Sequence, residues 1–289
     1  MSVFAMKLVA VVSMVIDHIG IFLYPRFASA QTYELLRAVG RLAFPIFAFL
    51  IVNGFEKTHD VKRYLTRLVA FAAISQIPYV VGSHFNRYPD GVTAVVLSGR
   101  WFVCLIFLVV IGAAWLGAVR MDWTVIWPLL AVLFAVLLVE FAGVHLLSSK
   151  MNVFYTLSLA LALIAVADAA MKPDRDWVKL LMQALALFGA FYLIRDNMDY
   201  RTLGVALIFS IWLARGSRFS QAAVIILWCV VEYIVPANPI SHFFVAALSV
   251  VPVLLYKGKQ GPPLKLAFYA VYPVHLAILG ALNIYLTFM

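Results

Sequence analysis

The sequence is short of charge. Only 12% of its 289 residues are Asp, Glu, Lys or Arg, against 65% that are hydrophobic, and the mean hydropathy is +1.00. Too little polar surface remains to coat a water-soluble globule, and no polar stretch is long enough to fold as a soluble domain. The shortage points to a polytopic membrane protein with one transmembrane domain over 1–289. Cysteine is nearly absent: Cys104 and Cys229 lie far apart, each inside an apolar run and without CxxC spacing, and read as inert core thiols. The histidines, His18, His59, His84, His145, His242 and His275, show no HxxxH or HExxH spacing, so no metal site is expected. A GxGxxG or Walker-type phosphate loop is also missing.

What the chain does have is apolar runs. A membrane-spanning helix needs about 20 mostly apolar residues, and eleven stretches qualify: 4–24, 34–55, 64–82, 100–119, 123–143, 151–171, 177–194, 201–215, 219–236, 240–256 and 264–288. The eighth is short, so the expectation is ten or eleven helices. No barrel-type alternation is present, and the fold class is all-α, because only helices then satisfy the backbone within lipid. The net charge of +9 is spread over short loops without base-stacking platforms, which argues against nucleic acid and for orientation in an anionic bilayer. With the N-terminus inside, fourteen of the 22 Lys and Arg residues fall on the cytoplasmic side and eight on the other. Lys7, an apolar run and Ala28-Ser29-Ala30 imitate a signal peptide, but the run is long and contains Asp17 and His18, so cleavage is not expected.

Those two residues raise the functional question. Ionisable groups at membrane depth are costly, by roughly 2.5–3.5 kcal/mol on insertion scales, and usually face a bundle interior. In SMVIDHIG (13–20), His18 lies ~9 Å below the outer end of the first helix, and Arg41 lies ~10 Å inside the second. Arg37 is one turn above Arg41. A base candidate, a carboxylate and two guanidiniums are therefore expected in one outer pocket, with Asp17 pairing to Arg41 or Arg37 rather than orienting His18. A plain alternative stays open, in which the charges neutralise one another and clamp two helices.

SMVIDHIG, followed by LLRAVGRLAFPIFAFLIVNGF, YLTRLVAFAAISQIPY, NVFYTLSLALAL (152–163), DYRTLGVALIF (199–209) and FYAVYPVHLAIL (268–279), resembles the TraX family of multi-pass membrane proteins. That family is named for the conjugation protein that N-acetylates pilin. It looks in turn like a distant relative of the membrane acyltransferases that modify sugars and of lysosomal heparan N-acetyltransferase. The segment from about 83 to 150 departs from the pattern and reads as a two-helix insertion.

The resemblance implies a bacterial inner-membrane enzyme with acetyl-CoA as the donor entering from the cytoplasm. A pilin or other peptide amine, or a sugar, would be the acceptor on the outer side. His18 matches the family histidine and would be the general base, since attack on a thioester needs the amine unprotonated. Arg41 is the candidate for the developing oxyanion. Lys62, Arg63 and Arg67 in the loop EKTHDVKRYLTR would meet the donor's phosphates, or merely obey the positive-inside rule. Asn53 and Gln76 are further candidate donor contacts. Pro273 frees the carbonyl of Tyr269 and suggests a kink lining a cavity, making Tyr269, His275 and Arg37 candidate substrate contacts. Two other readings remain: a secondary transporter with an Asp/His/Arg relay, which inverted repeats and broken helices would favour, and a non-enzymatic assembly factor.

Overall fold

A computed structural model describes residues 1–24, 29–85, 151–195, 197–262 and 264–288. The predicted spans 100–119 and 123–143, and all but the start of the segment 83–150, lie outside the described residues. Within them every regular element is helical, apart from an isolated bridge between Met151 and Met198. Three stretches are long and apolar enough to cross a membrane, Val3–Phe22, Ala30–Lys57 and Val153–Ala170. The chain divides into two compact units, the first made of 1–57, 78–92 and 206–289, the second of 58–77 and 93–205.

The first unit is organised around α1 (Val3–Leu23). Val3, Met6, Ala10, Met14, His18 and Phe22 recur at three- and four-residue spacing and are all buried, whereas Leu8 and Val12 are exposed. This is the stripe of an amphipathic helix in which one position of the inward face is a histidine. Ser2 caps the helix, its Oγ accepting from the Ala5 N–H at 3.2 Å. Two further N–H groups of the first turn are satisfied from a distant loop: Val3 donates to the Lys259 carbonyl at 2.9 Å and Phe4 to that of Gln260 at 3.0 Å. Gly261 makes this approach possible. Its φ is +78°, and a Cβ there would stand 2.6 Å from Phe4 Cβ.

The expected continuous helix over 34–55 is not what forms. Ala30–Lys57 is divided into α2 (Ala30–Gly40) and α3 (Ala43–Lys57), with Arg41 and Leu42 between them. Pro45 is the reason, because it has no N–H for the carbonyl of Arg41 and its ring crowds that carbonyl. The chain tightens instead, with Arg41 N–H donating to Ala38 at 3.1 Å and Leu42 N–H to Val39 at 3.3 Å. The same logic divides the expected 240–256 span. Pro252 cannot serve the Leu248 carbonyl, and Leu248–Ser249 separates α9 (Ile240–Ala247) from α10 (Val250–Leu254). Between α8 (Arg218–Cys229) and α9, Val230–Ile234 widens to a π-turn with Val235 N–H on the Val230 carbonyl at 3.1 Å. The last helix, α11 (Lys265–Phe288), keeps Pro273 inside it. Its Val274, Ile278, Leu282 and Tyr285 face outward while Tyr272, His275, Leu276 and Asn283 are buried. Helices α2, α3 and α11 pack against α1.

The second unit contains the first part of α4 (Val61–Phe85), then α5 (Val153–Ala170), α6 (Trp177–Ile194) and the start of α7 (Arg201–Leu213). From Met151 to Ala162 every residue is buried, so α5 is central, as its all-round apolar sequence requires. Asn152 anchors its start. Its side chain accepts from the Phe154 N–H at 3.0 Å and donates to the Ala72 carbonyl at 2.8 Å and to Gln76 Oε1 at 2.9 Å. On α6, Trp177, Leu181, Leu185, Phe188 and Tyr192 form an exposed apolar stripe suited to lipid.

Candidate functional site

His18 and His275 meet inside the first unit. The buried stripe of α1 turns the His18 ring inward, where Nδ1 lies 2.7 Å from Nε2 of His275. The ring centres are 4.9 Å apart with 29° between their planes, and the two residues are 6% and 8% exposed. Tyr272 stands edge-on to both, at 5.8 Å from His18 and 5.5 Å from His275, and Phe22 closes the α1 side at 6.4 Å. His275 Nδ1 lies 2.7 Å from the Val271 carbonyl, one turn back on α11. His275, a candidate substrate contact by its sequence position, lies beside His18.

Asp17, a hundred degrees around α1 from His18, faces α2 instead. Its Oδ2 accepts from Arg37 Nη1 at 2.6 Å, and the two side chains are 15% and 18% exposed. Arg37 is hydrogen-bonded to this carboxylate, and Arg41 stands at the turn between α2 and α3. Oδ1 of Asp17 is buried and lacks a hydrogen-bond partner among the described residues. The approach of the two helices is set by glycines. A Cβ on Gly40 would fall 2.2 Å from Asp17 Oδ1 and 2.3 Å from its Cβ, and one on Gly20 would fall 2.9 Å from Leu36 Cβ. Reading composition for charge alone passes over this pair; small residues at a membrane helix crossing were the available signal. Further along α2, Glu34 Oε2 lies 3.3 Å from His242 Nε2 of α9, a second pairing that spacing in the sequence does not reveal.

Losing one partner of the Asp17–Arg37 pair leaves the other charge partly buried. Arg37→Leu is expected to destabilise the protein by about 3 kcal/mol, and Asp17→Asn added to it to recover most of that loss. Denaturation in detergent measures both. A single variant as stable as the unaltered protein would show that this pair does not hold α1 to α2.

The remaining candidates are distributed between the units. Asn53 is buried in α3 and Tyr269 is half-buried on α11. Lys62, Arg63, Arg67 and Gln76 belong to the second unit. Lys62 and Arg63 are exposed on the first turn of α4, where Asp60 Oδ1 accepts from the Arg63 N–H at 2.8 Å. Arg67 lies over the Tyr64 ring at 5.9 Å. Gln76, considered for a donor contact, is joined to Asn152. A second group of cations surrounds Tyr256 in the first unit: Lys57 Nζ is 4.9 Å and the Arg218 guanidinium 5.0 Å from its ring centre. Lys57 also reaches the Tyr256 hydroxyl and, at 3.3 Å, the Gly258 carbonyl. Among the described residues no group of three or more His, Cys, Asp or Glu side chains is arranged to hold a metal.

Comparison with known proteins places this arrangement in a family. The sequence model described as TraX protein matches residues 2–138 and 80–283. The chain belongs to the TraX family. A probable fimbrial assembly protein, FimC of serogroup H1, from Dichelobacter nodosus is 24% identical over 294 residues, covering 99% of this chain and 97% of the relative. An uncharacterized protein of Rickettsia prowazekii (strain Madrid E) is 36% identical over 72 residues, a quarter of each chain. No solved structure matches. Family membership extends over both units, and the blocks carrying His18, Arg37, Arg41 and His275 all lie within the matched residues.

Proposed function

We propose that this TraX-family chain is an integral-membrane acetyltransferase of the bacterial inner membrane. It would move the acetyl group of cytoplasmic acetyl-CoA to an amine or hydroxyl on the outer side, with His18 as general base. The observation that carries the reading is the buried His18–His275 pair, at 2.7 Å on the inward face of a membrane helix. An ion-pair clamp between helices needs the Asp17–Arg37 bridge and has no use for two imidazoles, whereas proton transfer does.

The reaction balances on these groups. The acceptor nitrogen attacks the thioester carbonyl, the N–C bond forms, and its proton passes to His18. Collapse of the tetrahedral intermediate breaks the C–S bond, and the thiolate leaves as CoA-SH with that proton. Arg41, at the tightened turn between α2 and α3, is offered as the cation at the developing oxyanion. Arg41→Lys is expected to lower turnover roughly 100-fold, since a point charge does not replace a planar fork. Turnover close to normal would return Arg41 to a structural role.

The donor's phosphates require cations at the cytoplasmic end. Phe4, beside the loop 255–261, is fourteen residues from His18 on α1, or ~21 Å, a span that suits an extended phosphopantetheine arm. Lys57, Arg218 and Lys257 near that loop, and Lys62, Arg63 and Arg67 of the second unit, are the basic groups available. Arg63→Ala and Arg67→Ala are expected to raise the KM for acetyl-CoA several-fold with little change in kcat. Unchanged KM would remove them and leave the cluster around Tyr256.

The name of the Dichelobacter relative supports a pilus subunit as acceptor. The deciding experiment incubates purified protein in nanodiscs with acetyl-CoA and a peptide of a pilin N-terminus, and reads CoA-SH release together with the mass of the peptide. A gain of one acetyl group is expected; absence of both acetyl-CoA binding and transfer overturns the reading. One observation favours a second reading, a secondary transporter, because the helix broken at Arg41–Leu42 is a feature such proteins use to bind ions. Proton-coupled flux in liposomes without acetyl-CoA binding would select it.

A further inference from the structure

We infer that His275 is a positioning residue that fixes His18 in a single tautomer, with the lone pair on Nε2, through a directional hydrogen-bond chain that begins at the Val271 carbonyl. Its catalytic consequence rests on the acetyl-transfer reading; the chain of hydrogen bonds does not.

The direction follows from what each atom can do. A carbonyl oxygen only accepts, so the 2.7 Å contact between Val271 and His275 Nδ1 requires the proton on Nδ1. A neutral imidazole carries one N–H, so Nε2 of His275 holds a lone pair. That lone pair faces Nδ1 of His18 at 2.7 Å, a distance that demands a proton between them. His18 must then donate from Nδ1, and its Nε2 is left as the basic atom. Among the described residues no carboxylate is hydrogen-bonded to either imidazole, and Asp17, adjacent in sequence, is bound to Arg37. The usual acidic partner of a catalytic histidine is replaced by a second histidine backed by a main-chain carbonyl.

The arrangement also handles charge. When His18 takes a proton on Nε2, its Nδ1–H bond to His275 becomes charge-assisted. Movement of the Nδ1 proton onto His275 Nε2 shares the positive charge between the two rings without displacing a heavy atom. In a membrane interior, where an isolated cation is costly, this offsets the cost of forming one. Tyr272 and Phe22, edge-on around the pair, keep the rings from rotating away from each other.

The test is solid-state NMR of the full chain with 15N-labelled histidine in lipid bilayers, in which protonated and unprotonated ring nitrogens resonate far apart. The expected spectrum has His18 and His275 both as Nδ1–H tautomers, assigned by the signals lost in His18→Gln and in His275→Gln. His275→Gln still offers an acceptor and should keep His18 as the Nδ1–H tautomer with part of the activity. His275→Phe offers none; His18 should then populate both tautomers, and kcat for acetyl transfer should fall roughly 10–100-fold with the acetyl-CoA KM unchanged. An Nε2–H tautomer at His18 in the unaltered protein overturns the inference, as does a His18 signal indifferent to His275→Phe. Should a variant fail to fold, sequential assignment of the uniformly 13C,15N-labelled unaltered protein lets its spectrum decide. Because the spectrum needs no acetyl donor, the expected tautomers without any acetyl transfer would refute the enzyme and leave the chain standing.

Discussion

His18→Ala is expected to lower acetyl transfer by roughly 100- to 10,000-fold, the contribution of a positioned general base, while the protein remains folded and membrane-inserted. The effect on activity should be large because, among the described residues, no other base is placed to take the proton at the same position. His275 is held by the Val271 carbonyl with its Nε2 at the Nδ1 side of the removed ring, away from the place of His18 Nε2, and Asp17 is held by Arg37. The effect on folding should be modest. Met6, Ala10, Met14 and Phe22 still fill the buried stripe of α1, and the loop 255–261 still holds the first turn. Turnover measured with acetyl-CoA and an amine acceptor, beside circular dichroism and gel filtration, separates the two. Added imidazole should restore part of the lost rate. Turnover retained without it would show that the proton leaves by another route.

The second large effect is structural. Gly40→Ala is expected to destabilise the protein by about 4 kcal/mol, combining overpacking at a close contact, about 1–3 kcal/mol, with disturbance of the Asp17–Arg37 pair. The added methyl would stand 2.2 Å from Asp17 Oδ1, 2.3 Å from its Cβ and 2.4 Å from its Cγ. Because the clash includes Cβ, rotating the Asp17 side chain does not relieve it, and α1 and α2 must separate. A loss of that size is a large share of the 5–15 kcal/mol typical of a whole domain. Thermal unfolding in detergent, with the yield of folded protein, gives the measurement. Gly216→Ala is the control: a Cβ there meets nothing within 4 Å, and its stability should be nearly unchanged. Equal behaviour of the two variants would mean that α1 and α2 do not meet as described.

Much of the architecture was legible in the sequence. The span read as 177–194 is the helix Trp177–Ile194, and 4–24 is Val3–Leu23, within a residue at each end. Such agreement has a simple origin, since every backbone amide in lipid must be paired within its own helix and long apolar runs therefore end where the helix ends. The prolines were visible too, but not their consequences. Pro45 and Pro252 leave breaks four residues upstream, whereas Pro78 and Pro273 stay inside continuous helices. Each removes the same hydrogen bond. Which response follows depends on what neighbouring helices do with the freed carbonyl, and that is not written locally.

For the site, sequence drew attention to Asp17, His18, Arg37, Arg41 and His275 because an ionisable group in an apolar run is conspicuous by its cost. It set Asp17 apart from His18 and paired it with Arg41 or Arg37, but it could not choose between the two arginines or bring His275 to His18. Asp17 and His18 are adjacent in the chain and serve different partners, since consecutive helical positions point about 100° apart. His18 and His275 are 257 residues apart and share a hydrogen bond. The sequence by itself determined that this is a helical membrane chain, because composition and apolar run length depend on no contact between helices, and its ordered blocks carried the resemblance to the TraX family. Only the tertiary structure decided that the partner of His18 is His275. The physical reason is that a hydrogen bond is fixed by distance and direction between atoms, and these come from how α1 and α11 pack.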